Sequence, residues 1–151
     1  MSDSWVTLIP KDPLFRPKEN AFAEALVAFK KLAPNADEIK LIVSDVVRFY
    51  DCGTNFEAVY CPSCNTQIQI EQWQDLMSID SNKKGFNLNF YELSCCRSSH
   101  NLNELNYSWH QGFSVFALEA MNPNVGELSE EAIKTFENIL GTRLSAIYQH
   151  I

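Results

Sequence analysis

The sequence predicts one α+β domain over residues 1–151, with helices packed on a mainly antiparallel sheet and a long helix at the C-terminus. Three observations predict it. Segments whose apolar residues recur every three or four positions are interspersed with segments of strict apolar–polar alternation. The resulting order is β-α-β-β-α-β-β-α. Four of the five cysteines fall into two clusters, Cys61/Cys64 and Cys95/Cys96, each placed where a strand pattern ends.

Val6 to Ile9 reads as a short strand, closed by the turn-prone Pro10-Lys11-Asp12-Pro13. Pro17 suits the first turn of a helix, where its missing N–H is not needed. Phe22, Leu26, Phe29 and Ala33 follow at helical spacing, and Pro34-Asn35 ends the pattern. Glu38 to Val43 alternates as a strand. Val46, Val47 and Phe49 continue it after a phase change at Ser44-Asp45 that predicts a bulge. The turn formers Asp51 to Asn55 predict a hairpin whose second strand, Phe56 to Tyr60, delivers the chain into Cys61.

Ile70, Trp73 and Met77 mark a short helix closed by Asn82-Lys83-Lys84-Gly85. Phe86, Leu88 and Phe90 alternate with Asn87 and Asn89, which predicts a half-buried strand running toward Cys95-Cys96. Gly112 to Ala120 is a further apolar strand, stopped at Asn122-Pro123. Ser129 is a candidate N-cap, with Glu130 and Glu131 in the favourable first turn. Ile133, Phe136, Leu140, Leu144, Ile147 and Ile151 then predict one long amphipathic helix, slightly weakened by Gly141.

The chain holds 46% hydrophobic and 21% charged residues, which argues for a globular protein and against disorder. No apolar run approaches the roughly 20 residues of a membrane span. Met1 to Trp5 has neither a basic start nor an apolar signal core, which predicts a cytoplasmic protein. Five cysteines in that setting favour thiols or metal over disulfides, with the odd Cys52 a buried thiol. The net charge of −7 opposes binding to nucleic acid or anionic membrane and suits a basic protein partner. Lys30-Lys31 and Lys83-Lys84 are the only basic pairs. From Ser98 onward two basic residues stand against six acidic ones.

Cys61-Pro62-Ser63-Cys64 lets two thiolates reach one metal, and a second cluster alongside completes a tetrahedron. Pro62 pre-sets the backbone of the turn between the sulfurs. Asn65 follows the second sulfur, where a zinc-knuckle turn often takes a left-handed residue, and Asn is tolerated there next after Gly. This local sequence resembles the first knuckle of zinc-ribbon proteins, over a stretch from about Phe56 to His100. The resemblance implies a structural Zn²⁺. The second half departs from the ribbon pattern, because adjacent cysteines replace the second Cys-x-x-Cys and are followed by Arg97-Ser98-Ser99-His100. Neighbours on a strand point to opposite faces, so both reach one ion only if the backbone turns there. Two ligand sets compete: Cys61, Cys64, Cys95 and Cys96, which is favoured, or Cys61, Cys64, one of the pair and His100. The plainer reading makes the first pair loop thiols, the second pair small core residues and His100 a surface imidazole. A redox Cys-x-x-Cys would open a helix after a buried parallel strand, and here a hairpin strand precedes it.

Cysteine-rich zinc sites are mostly closed and structural. A zinc deaminase needs His-x-Glu ahead of Pro-Cys-x-x-Cys, and no histidine precedes the first cluster. His-Glu-x-x-His, Gly-x-Ser-x-Gly and Gly-rich phosphate loops are absent. His100, His110 and His150 are scattered; His110 as a base beside Glu104 or Glu119 is less expected than simple packing near Trp109. The sequence therefore predicts a protein that is not an enzyme. Asn101 to Pro123 is rich in aromatics, and Tyr107 and Trp109, with Glu104, are the candidate partner-binding residues, while Phe113 and Phe116 are expected in the core. The function predicted is a small, acidic, zinc-stabilised protein-binding module, sharpest as an immunity- or antitoxin-type inhibitor of a basic toxin or nuclease. The alternatives are a nucleic-acid-associated zinc ribbon, which wants basic residues near the knuckles and has only Arg97, and a metal-dependent enzyme with an open coordination position.

Overall fold

The computed structural model describes residues 2–151. Its elements are β1 (Ser4–Pro10), α1 (Phe22–Leu32), β2 (Glu38–Tyr50), β3 (Val59–Tyr60), α2 (Ile70–Asp80), β4 (Ser81–Asn82), β5 (Gly85–Phe86), β6 (Tyr91–Glu92), β7 (Ser99–His100), β8 (Asn106–Tyr107), β9 (Gly112–Met121), α3 (Glu130–Leu140) and β10 (Leu144–His150). Six strands form one sheet in the order β10-β1-β9-β2-β5-β4 with every neighbour antiparallel, so the α+β class with a mainly antiparallel sheet holds.

Since β1 and β2 both run antiparallel to β9, they are parallel to each other with β9 between them. By the same logic β9 and β10 flank β1. Each such pair is joined through a helix, α1 or α3, giving two interlocked split β-α-β units. This is the ferredoxin-like arrangement. Residues 51–111 are a long insertion in its central connection, from β2 to β9.

Alternation along β1 and β9 puts Val6, Leu8, Phe116, Leu118 and Ala120 on one face, where α1 and α3 lay Ala25, Phe29, Phe136 and Leu140 over them. Phe29 and Phe136 meet across the helix pair with ring centres 5.2 Å apart. β9 is buried on both faces because the insertion covers its other side, where Phe113 and Val115 join Val59, Ile68, Trp73 and Leu93 in a second core. No helix among the described residues is long and apolar enough to cross a membrane.

The expected long terminal helix is two elements. α3 begins as predicted, with Ser129 Oγ accepting from Ala132 N at 3.1 Å. It ends at Gly141, whose φ of 77° is left-handed and whose N–H closes onto Glu137 O at 2.8 Å. Glu137 Oε2 then receives the Leu144 N–H at 2.9 Å and starts β10. Leu144 and Ile147 keep a helical spacing only because both faces of β10 are covered: Leu144 meets the helices, and Ile147 joins Ile9 and Cys52 on the other side.

The bulge in β2 is present. Val43 faces Phe116 and Arg48 faces Ser114, so the residues between are looped off. Val115 N–H turns to Pro13 O at 2.9 Å, Arg16 Nη2 holds Ser44 O at 2.8 Å, and Val47 pairs with Phe86 of β5. A Cβ on Gly85 would lie 2.7 Å from Val46 Cβ, so this approach of β5 needs glycine. The hairpin predicted after β2 does not form: β3 pairs with β8 instead, and Gly53 bridges to His150 of β10. The strand predicted through Phe90 stops after Phe86. Leu88 takes a φ of 54°, because the buried Asp80 carboxylate draws in the N–H groups of Leu88 and Asn89 at 2.8 and 2.9 Å.

Candidate metal centre

Two small hairpins of the insertion carry the cysteines. In the first, Tyr60 bridges Gln67 and Ile68 N–H reaches Val59 O at 2.8 Å; in the second, β6 pairs with β7. Their tips are built alike. Cys61 N–H donates to Thr66 O and Asn65 N–H to Cys61 O, both at 2.9 Å. Leu93 N–H donates to Ser98 O at 2.9 Å and Arg97 N–H to Leu93 O at 2.8 Å. Asn65 and Arg97 close the two turns with φ of 61° and 60°. Position for position, Cys64 corresponds to Cys96, Thr66 to Ser98 and Cys61 to Leu93. The turn over Ser94–Cys96 is what lets two adjacent cysteines face one point.

The four sulfurs of Cys61, Cys64, Cys95 and Cys96 all lie within 4.8 Å of one another. Cys61 Sγ is 3.7 Å from Cys96 Sγ, and Cys64 Sγ is 3.4 Å from Cys95 Sγ. A tetrahedron with metal–sulfur bonds of ~2.3 Å has edges of ~3.8 Å, so the spacing suits one ion in a four-sulfur site. These cysteines lie close enough to coordinate a metal ion. All are free thiols, and Cys61 is buried while the other three are exposed.

Hydrogen-bond donors surround the sulfurs. Burial raises the Cys61 thiol, but the N–H groups of Cys64 and Ser63 and the Ser98 hydroxyl outweigh it and bring it down to about 6. The Thr66 hydroxyl, 3.2 Å from Cys64 Sγ, lowers Cys64. Cys95 is pushed up to about 12, chiefly by its contact with Cys64 and then by burial. Cys61 and Cys64 fall because N–H and hydroxyl donors favour their thiolates, and Cys95 rises because a further charge beside those sulfurs is disfavoured without a cation between them.

The alternative ligand His100 is turned elsewhere. Its Nε2 lies 2.8 Å from Ser63 Oγ and its Nδ1 3.4 Å from Glu104 Oε1, so it ties the first tip to the segment after the second. Glu104 is itself half of a capping box, accepting from Asn101 N–H at 2.9 Å. Tyr107 packs in the second core: its hydroxyl donates to Leu102 O at 2.7 Å, accepts from Trp73 Nε1 at 3.1 Å, and is raised by burial. Trp109 is 45% exposed. Cys52 is a buried thiol, as expected, set against Gln111 Oε1 at 3.3 Å and raised to about 11 by burial.

Sequence reasoning missed two positioning residues. Leu93, 1% exposed, fills the place that Cys61 holds in the other tip. Asp80, fully buried, also accepts from Tyr91 Oη at 2.8 Å and so holds the approach to the second hairpin. A repeat of the turn pattern thirty-two positions on carries the first signal; an aspartate at a helix end carries none. Comparison with protein-family models, curated proteins and solved structures finds no match to this chain.

Proposed function

We propose that this protein is a small acidic module whose insertion is braced by a structural Zn²⁺ and which binds a basic protein partner, in the manner of an immunity or antitoxin inhibitor of a toxin or nuclease. The observation that carries the reading is the convergence of four thiols at the tips of two hairpins, in an insertion whose strands are all two residues long. A closed four-sulfur set suits zinc or an iron–sulfur centre and leaves no coordination position for substrate. The resemblance of the first tip to zinc-ribbon knuckles favours zinc. The net charge of −7 supports a cationic partner.

Metal analysis of the purified protein, expected to give one zinc per chain, tests the first half. Titration against a panel of basic nucleases at low and high salt tests the second. Inhibition is expected at low salt and should weaken as the screening length falls from ~10 Å at 0.1 M to ~3 Å at 1 M. Absence of inhibition, or retardation of random DNA or RNA by the protein itself, overturns the reading.

A further inference from the structure

β10 is an edge strand, and its backbone can be accounted for group by group. Lys11 N–H donates to Arg143 O at 2.9 Å and Ile151 N–H to Asp3 O at 3.0 Å, which fixes the phase of the ladder between them. Ser145, Ile147 and Gln149 therefore bond to β1, while Leu144, Ala146, Tyr148 and His150 turn their backbone groups outward. The insertion takes up one end of this edge. His150 O accepts from Thr54 N–H at 2.8 Å, and Tyr148 O accepts from Asn55 Nδ2 at 3.0 Å. At the other end Leu144 N–H is held by Glu137. Leu144 C=O, both groups of Ala146 and Tyr148 N–H have no partner among the described residues. That run of acceptor, donor, acceptor and donor matches another extended backbone.

A cavity of about 350 Å³ lies against this window, bordered by Trp109, His110, Glu127, Ala146 and Tyr148. It shares Trp109, Glu127 and Tyr148 with a hollow of about 550 Å³ that reaches Trp5 and Asn122. Trp109 has a φ of 61°, a left-handed conformation that a bulky side chain rarely adopts and that clusters at ligand-binding sites. The Tyr148 ring is fixed by its hydroxyl, which accepts from Leu128 N–H at 2.8 Å. Glu127 is exposed at the rim.

We propose that the free edge of β10 takes up an extended segment of a protein partner by strand addition, with an aromatic or bulky apolar side chain against Trp109 and a basic one beside Glu127. This rests on the protein-binding reading above and gives that binding a place. A random-peptide phage library selected on the metal-loaded full chain tests it. Enriched peptides should pair a basic with an aromatic or bulky residue, and their binding should slow amide exchange at Ala146 and Tyr148. Ala146→Pro deletes only an outward N–H, a substitution edge strands tolerate. Trp109→Gly removes the ring and relieves the left-handed backbone, so it serves as a second variant that keeps the fold. Each should weaken peptide binding about tenfold or more while metal content is retained. No enrichment, or peptides that bind both variants as well as the parent, overturns the proposal. So does a concentration-dependent dimer that Ala146→Pro abolishes, since the edge would then be taken by a second copy. A basic protein bound equally by parent and variants removes this site and leaves the partner reading standing.

Discussion

The two hairpin tips share a backbone and differ in where they place their sulfurs. In the first, positions one and four of the turn carry Cys61 and Cys64; in the second, positions three and four carry Cys95 and Cys96, and position one is Leu93. The hydrogen bonds that close each turn involve only main-chain groups, so the turn does not require sulfur at any one position. What position one requires is burial. Cys61 and Leu93 are 0% and 1% exposed and belong to the same core cluster. The comparison teaches that these tips are anchored from below by apolar packing and from above by the convergence of the thiols.

Removing the upper anchor should have the largest effect. Structural zinc contributes ~10–16 kcal/mol of folding free energy in zinc-finger peptides. Chelation, or Cys64→Ser, is expected to abolish amide protection in β3, β6, β7 and β8 while β1, β9 and β10 keep theirs, as read by hydrogen exchange. Loss of protection throughout the sheet would show that frame and insertion fold as one unit. The pH dependence follows from Cys61. Its thiol is lowered to about 6, so the charged form is favoured in the fold and its contribution is present above the unfolded value of a free thiol. In the metal-free protein it is lost as pH falls through about 6; a bound cation holds the thiolate further down, so metal release in a pH titration should begin below about 6.

Removing the lower anchor comes next. Leu93→Ala deletes a fully buried side chain and is expected to cost about 2–5 kcal/mol in urea unfolding, with metal stoichiometry unchanged because the turn and its sulfurs remain. Metal lost along with stability would mean that the packing of position one aims the sulfurs as well as holding the hairpin. Asp80→Ala probes a support that only the second tip has. It strands the N–H groups of Leu88 and Asn89 and the Tyr91 hydroxyl, and about 2–3 kcal/mol is expected in the same assay.

The first tip was legible in the sequence because its chemistry is local: Pro62 sets the turn, Asn65 accepts left-handed φ, and the two cysteines carry ribbon spacing. The second was only half legible, since Leu93 resembles any core leucine until the turn around it is seen. In the frame, α1, the bulge in β2 and the N-terminus of α3 follow from apolar period, phase break and cap. β10 did not, because an edge strand covered on both faces by α3 and by the insertion shows apolar residues at helix-like intervals. The stop was written at Gly141, which the left-handed closure onto Glu137 demands. Pairings made at long range, β3 with β8 or Gly53 with His150, leave no local pattern. A Cβ on Gly53 would collide with the His150 carbonyl, yet the sequence shows only one more turn glycine.

The smallest effect expected has the opposite sign and tests the equivalence of the tips most directly. Asn65 and Arg97 hold the same left-handed place, with φ of 61° and 60°. Asparagine visits that region routinely, whereas for most L-residues it costs roughly 1–2 kcal/mol through the clash of Cβ with the backbone carbonyl. Arg97→Gly removes that clash but adds chain entropy to the unfolded state, which returns part of the gain. Arg97→Asn avoids the entropy cost. It should stabilise the metal-loaded protein by about 0.5–1 kcal/mol in urea unfolding, whereas Asn65→Arg should destabilise it by a similar amount. If both exchanges shifted stability in the same direction, the tips would not be carrying the same strain, and the correspondence of Cys61 with Leu93 would fail with it.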